Sequence, residues 1–161
     1  MNHFELYKIP LSFRPDQDLL TARHKLLARD PELVKQADQG FEILRDADST
    51  LEYVLQIKGL LNRNEIFEPD PQFRLEVSDI NEELMELEMD EKQEQLMNVE
   101  QKTNRLLLKI IEDVAAVMDN YEEDTGTEEA LLQVKDFYQQ KKYLEGILDR
   151  IRGVRNIASP S

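Results

Sequence analysis

The sequence predicts an all-α protein. Only five Gly and six Pro occur among 161 residues, and most of the Pro stand at segment edges. Hydrophobic residues make up 40% and charged residues 34%. The two classes alternate at spacings of three and four, which puts the apolar positions on one side of a helix.

The elements follow in order. The chain opens on an aromatic-rich segment, HFELYKIPLSF, ended by Pro10. A first helix fits residues 17 to 29. Asp16 is its N-cap, and Leu19, Leu20, Leu26 and Leu27 form its apolar side. Asp30 then caps a second helix with Pro31 at its first position, where the missing N–H costs nothing. Its stripe is Leu33, Val34, Ala37, Phe41 and Leu44. The run DADS breaks it, and Ser49 with Glu52 forms a capping-box pattern for a third helix carrying Leu51, Val54, Leu55 and Ile57.

A second group of helices follows GLLNRNEIFEPDP. Asp70-Pro71 repeats the cap-then-proline signal. Phe73, Val77, Ile80, Leu84 and Leu87 come at alternating spacings of four and three. Asp90 is the next expected cap, ahead of Leu96, Val99, Thr103, Leu106, Ile110, Val114 and Val117. The polar run DNYEEDTGTEE interrupts. Val134, Phe137, Leu144, Leu148 and Ile151 then mark a final helix. Three such helices joined by short breaks fold back as an elongated antiparallel three-helix bundle.

Charge supports two units. Residues 1 to 60 hold 8 basic and 10 acidic residues, and residues 61 to 161 hold 12 and 24. Between 65 and 100 only Arg74 and Lys92 face 13 acids. The expected division is a unit at 1–60, a linker at 61–69 and the bundle at 70–161. The overall net charge of -14 argues against nucleic acid and against an anionic membrane surface. The first ten residues show neither a basic n-region nor a long apolar run, and no stretch has the ~18 apolar residues of a membrane span. A soluble, cytoplasmic protein is expected.

No catalytic constellation can be assembled, so no enzyme, cofactor or metal site is expected. There is no cysteine. His3 and His24 read as solvated side chains without ligating partners. The acidic loop around Gly126 would put Tyr121 where a calcium loop needs its first Asp. What remains is EVSDINEELMELEMDE. Asp79, Glu82 and Glu86, with Glu76 beside them, fall at helical spacing on one face. That face is either simply solvated or a contact surface for a basic partner. Leu75 and Met89 lie off the core stripe and place apolar groups among the acids. An apolar-acidic stripe of this kind also suits an acidic interaction or self-assembly module.

The segments HFELYKIPLSF, DADSTLEYVLQIKGLL, DPQFRLEVSDINEELMELE and QKKYLEGILDRI, in that order, resemble the HscB family of J-domain co-chaperones for iron–sulfur cluster assembly. The family's matching patterns are F-x-L-F-G-L-P, D-P-x-x-R-x-x-Y-x-L-x-L-x-G and F-L-M-E-x-M-x-I-N-E-E-L. The resemblance implies an adaptor. Its J-domain would dock on a DnaK/HscA-type chaperone and its bundle would bind an IscU-type scaffold protein. Carried over by position, the scaffold-binding residues are Leu75, Asp79, Glu82, Glu86 and Tyr143. Arg23, Lys25 and Arg29 supply a weaker candidate chaperone surface. Two departures stand out. Arg74 and Ser78 occupy positions where the family has bulky apolar residues. The His-Pro-Asp tripeptide of J-domains occurs nowhere in the chain, so the first unit is expected to be a shortened J-like unit with chaperone stimulation impaired or lost.

Overall fold

A computed structural model describes residues 1–62, 64–89 and 93–158. All regular structure among them is helical. The helices are α1 His3–Tyr7, α2 Gln17–Leu27, α3 Val34–Leu44, α4 Ala47–Ile57, α5 Pro71–Met89, α6 Gln93–Asn120 and α7 Glu128–Ala158. The residues gather into two compact units. One comprises Met1–Glu65 with Ala115–Lys135, and the other Ile66–Val114 with Asp136–Ser161.

The first unit is built on α1 to α4, with α2 against α3, α3 against α4, and α1 against both α2 and α3. Helix α1, not anticipated from sequence, exists because both its ends are closed. The Asn2 side chain accepts from the Glu5 N–H at 2.9 Å, and Lys8 turns left-handed at φ 55 to end it. Its Phe4 and Tyr7 are buried, and the Tyr7 hydroxyl donates to the Ala37 carbonyl at 2.6 Å. That bond ties α1 to the first turn of α3. Burial, then the charge of Asp38, pushes the Tyr7 hydroxyl up to about 12.

Asp16 caps α2 as expected, accepting from the Asp18 and Leu19 N–H groups. The helix stops at Leu27, so Arg29 lies beyond it. Leu20 is fully buried, but Leu26, expected on the apolar side, is 59% exposed. The second helix departs from expectation at its start. Residues 28 to 33 are turns, and α3 begins at Val34 with no side-chain cap. Asp30 accepts from the Glu32 N–H at 2.9 Å, a contact two residues along that closes a turn and does not reach the third N–H of a helix. The cap of α4 is also earlier than expected. Asp46, not Ser49, is the capping residue, and it accepts from the Ser49 N–H at 2.8 Å. Much of DADS is therefore helix. Gly59 ends α4 at φ +71, and the Leu60 N–H reaches back to the Leu55 carbonyl at 2.9 Å, a closure that needs a left-handed residue.

The first unit also takes in the end of α6 and the start of α7. Phe13 packs on Tyr121 with ring centroids 5.2 Å apart, and Arg14 pairs with Asp119. In the intervening loop Gly126 lies so close to Tyr121 that a Cβ would stand 2.3 Å from its Cε2 atom. Only glycine fits there.

In the second unit Asp70 caps α5 by accepting from the Phe73 N–H at 2.8 Å. The expected stripe Phe73, Val77, Ile80, Leu84 and Leu87 is buried throughout. Asp90, the expected cap of α6, lies outside the described residues. Along α6 the expected set is buried to Val114, with Thr103 satisfied by its hydroxyl donating to the Val99 carbonyl at 2.8 Å. At its last position Met118 is buried and Val117 only half-buried. In α7 the shift is one position the other way, with Ile147 in the core and Leu148 at its edge.

Ion pairs and one hydrogen bond fix the chain directions. Glu76 meets Lys109 and Glu83 meets Lys102, so α5 and α6 run antiparallel. Asn81 meets Tyr143 and Glu88 meets Arg150, so α5 and α7 run parallel. The unit is an up-down-up three-helix bundle.

Candidate partner-binding surface

The bundle core fixes which side of α5 faces outward. With Phe73, Val77, Ile80, Leu84 and Leu87 inward, residues 75, 79, 82 and 86 recur at i, i+4, i+7 and i+11 on the opposite side. Leu75, Asp79, Glu82 and Glu86 are all exposed there. Leu75 is 69% exposed, and Met85 and Met89, next to this strip, are 62% and 91% exposed.

The acids of α5 divide into two sets. Those flanking the core are paired: Glu76 with Lys109 at 3.3 Å, Glu83 with Lys102, and Glu88 with Arg150 at 2.8 Å. Glu76, expected among the face acids, is one of these. Its position turns it toward α6. Among the described residues Asp79, Glu82 and Glu86 have no cationic partner. The surface thus holds three uncompensated carboxylates beside three exposed apolar side chains. Such an arrangement steers a basic surface inward and gives it apolar area to bury.

Tyr143 reaches the margin of this face from α7. Its ring meets Phe73 edge-on at 5.9 Å and Phe67 at 6.0 Å, and its hydroxyl accepts from the Asn81 Nδ2 at 2.8 Å. It remains 36% exposed. The four α5 residues therefore share one strip, and Tyr143 stands on the α7 flank. The supporting residues Phe67 and Asn81 were not anticipated. Phe67, an aromatic residue just before Pro69-Asp70, carried a usable signal, because an apolar ring ahead of a helix cap often packs on the first turns. Nothing in the local pattern marks Asn81.

The basic residues of the first unit are scattered. Arg23 is half-buried and donates to the Tyr7 carbonyl at 3.4 Å. Lys25, two positions on, points to nearly the opposite side of α2, and Arg29 lies in the turn after it. Neither histidine is a free solvated side chain. His24 meets Asp38 at 2.8 Å and stacks on Phe41. The His3 ring lies 4.9 Å from Tyr53, and burial lowers its pKa from 6.5. Among the described residues no cluster of His, Asp and Glu could hold a metal ion, and no helix is long and apolar enough to cross a membrane.

No protein-family model matches the chain. The co-chaperone protein HscB homolog of Vibrio atlanticus (strain LGP32) is 25% identical over 174 residues, which cover 95% of this chain and 100% of that protein. The chain is HscB-like. Chaperone HscB from Vibrio cholerae shares the fold, with a TM-score of 0.59 at 18% identity, covering 97% of this chain and 98% of that one. The HscB-like chain nonetheless carries Asp30-Pro31-Glu32 at the corner between α2 and α3, and no His-Pro-Asp anywhere.

Proposed function

We propose that this HscB-like chain is a non-enzymatic co-chaperone of iron–sulfur cluster assembly in the cytoplasm. It binds an IscU-type scaffold protein through Leu75, Asp79, Glu82, Glu86 and Tyr143. Its domain plan is a J-like unit at 1–60, a linker at 61–69 and a partner-binding bundle at 70–161. The supporting observation is the division of the α5 acids: every flanking acid is paired within the bundle, while the three on the outer strip have no cation among the described residues. Carboxylates left uncompensated beside exposed apolar groups suit a basic, amphipathic partner.

Calorimetric titration with a purified IscU-type scaffold tests the reading. Binding is expected at low salt, weakening as salt screens the carboxylates and falling about tenfold in Glu82→Lys. An absence of binding at low salt would sink it. The J-like unit is proposed to have lost stimulation of a DnaK/HscA-type chaperone, because it lacks His-Pro-Asp and its bases Arg23, Lys25 and Arg29 do not share a face. Chaperone ATP turnover should be the same with and without this protein, and clear stimulation refutes the loss.

A second reading comes from the exposure of Leu75, Met85 and Met89 on one helix. They could close a self-assembled helical dimer, with no chaperone role. Sedimentation decides, since a monomer eliminates it.

A further inference from the structure

A second strip runs along α5 beside the acidic one. Arg74, Ser78, Asn81 and Met85 recur at i, i+4, i+7 and i+11, on the side that meets α7 through Asn81 and Tyr143. Its first three residues carry hydrogen-bond donors. The Tyr143 hydroxyl already accepts from Asn81, so its own proton is available to a further acceptor. Ser78 is exposed and offers another hydroxyl.

Arg74 is the unusual member. Between residues 65 and 100 it is one of two bases among 13 acids. Yet no carboxylate among the described residues lies within ion-pair distance of it. Its side chain makes one hydrogen bond, from Nη2 to the Pro69 carbonyl at 3.3 Å, which holds it near the start of the helix and leaves most of its donors unused. The lysines and arginines that meet α5 from α6 and α7 behave differently: Lys102, Lys109 and Arg150 each take one of its carboxylates. A planar guanidinium with free donors is matched by a carboxylate, which it binds through two hydrogen bonds.

We infer that Arg74, with the Ser78 hydroxyl one turn along, is a specificity determinant that takes a carboxylate of the partner protein. This rests on the scaffold-binding reading above and sharpens it. The partner must present basic groups opposite Asp79, Glu82 and Glu86, and an Asp or Glu opposite Arg74. A partner built for an apolar residue at position 74 would have to bury an unpaired guanidinium, and would be rejected for that reason.

The test is a binding cycle with an IscU-type scaffold at low salt. Arg74 is exposed, so its variants should melt as the wild type does. Arg74→Glu is expected to weaken binding about tenfold or more, and Arg74→Leu by less. Reversal of one exposed scaffold carboxylate to Lys should restore binding to Arg74→Glu while weakening the wild type. Wild-type binding that falls in Glu82→Lys but not in Arg74→Glu overturns the inference alone. So does tighter binding by Arg74→Leu. No binding by the wild type overturns the functional reading and this inference together.

Discussion

Two corners of the molecule carry the same dipeptide and do different things. Asp70-Pro71 starts α5: the carboxylate accepts from the Phe73 N–H, and the helix runs from Pro71. Asp30-Pro31 starts only a turn, with the Asp30 carbonyl accepting from the Leu33 and Val34 N–H groups. Its carboxylate reaches only the Glu32 N–H, and helix waits until Val34. The dipeptide is identical, so the difference lies in the packing of the next few residues. Phe73, three residues after Asp70, is buried, and its packing fixes the first turn. Leu33, three residues after Asp30, is only half-buried, and Ala37 is the first buried residue of α3. Asp30 is also still bonded backwards, its N–H to the Leu27 carbonyl at 3.1 Å, so the chain reaches it while leaving α2. A cap proposes a start, and packing within the first turn decides it.

The contrast is easiest to break at the anchors. Phe73→Ala should cost about 3–5 kcal/mol in equilibrium urea unfolding, and Leu33→Ala about 1 kcal/mol. Equal costs would mean that burial does not distinguish the corners.

The next effect concerns what holds α3 in place of a cap. Tyr7→Phe removes the donor to the Ala37 carbonyl and should cost about 1 kcal/mol at pH 7. An unfolded tyrosine ionises near 10.0, whereas this one is pushed up to about 12. The stability contributed by its hydroxyl is therefore whole below pH 10 and disappears as pH rises from there to about 12. Tyr7→Phe should lack that alkaline loss. An alkaline transition identical in both proteins would remove Tyr7 as its cause.

The smallest effects belong to the caps themselves. Asp70→Ala should cost about 1 kcal/mol and speed amide hydrogen exchange in the first turn of α5. Asp30→Ala should stay within about 0.5 kcal/mol, with exchange in α3 unchanged. A larger cost at Asp30 would show that its turn stabilises the α2–α3 connection as strongly as a helix cap does.

These corners also explain what the sequence could reveal. The α5 stripe was legible because each of its residues both fits the helical spacing and packs. The four outward residues were legible for the complementary reason: on a helix with a known inner side, the opposite side is fixed. The α3 start was not, because Asp30-Pro31 carries a sound local signal that no packed residue supports. Nor was α1, whose five residues are too few for a periodic pattern and depend on Asn2, Lys8 and a hydroxyl bond to a residue thirty positions away. The Ser49 cap was misplaced because Asp46 offered a stronger acceptor three residues earlier. In the site, the bond between Asn81 and Tyr143 spans 62 positions, and no local pattern encodes it.

The division of the α5 acids has a consequence for inheritance. Glu76 with Lys109, and Glu83 with Lys102, are both written in one gene, and each pair can exchange signs by two changes in that gene. If the outer strip serves a partner, Asp79, Glu82 and Glu86 have their complements in another gene. Lineages should then drift freely along the flanks of α5 and move along its outer strip only in step with a second protein.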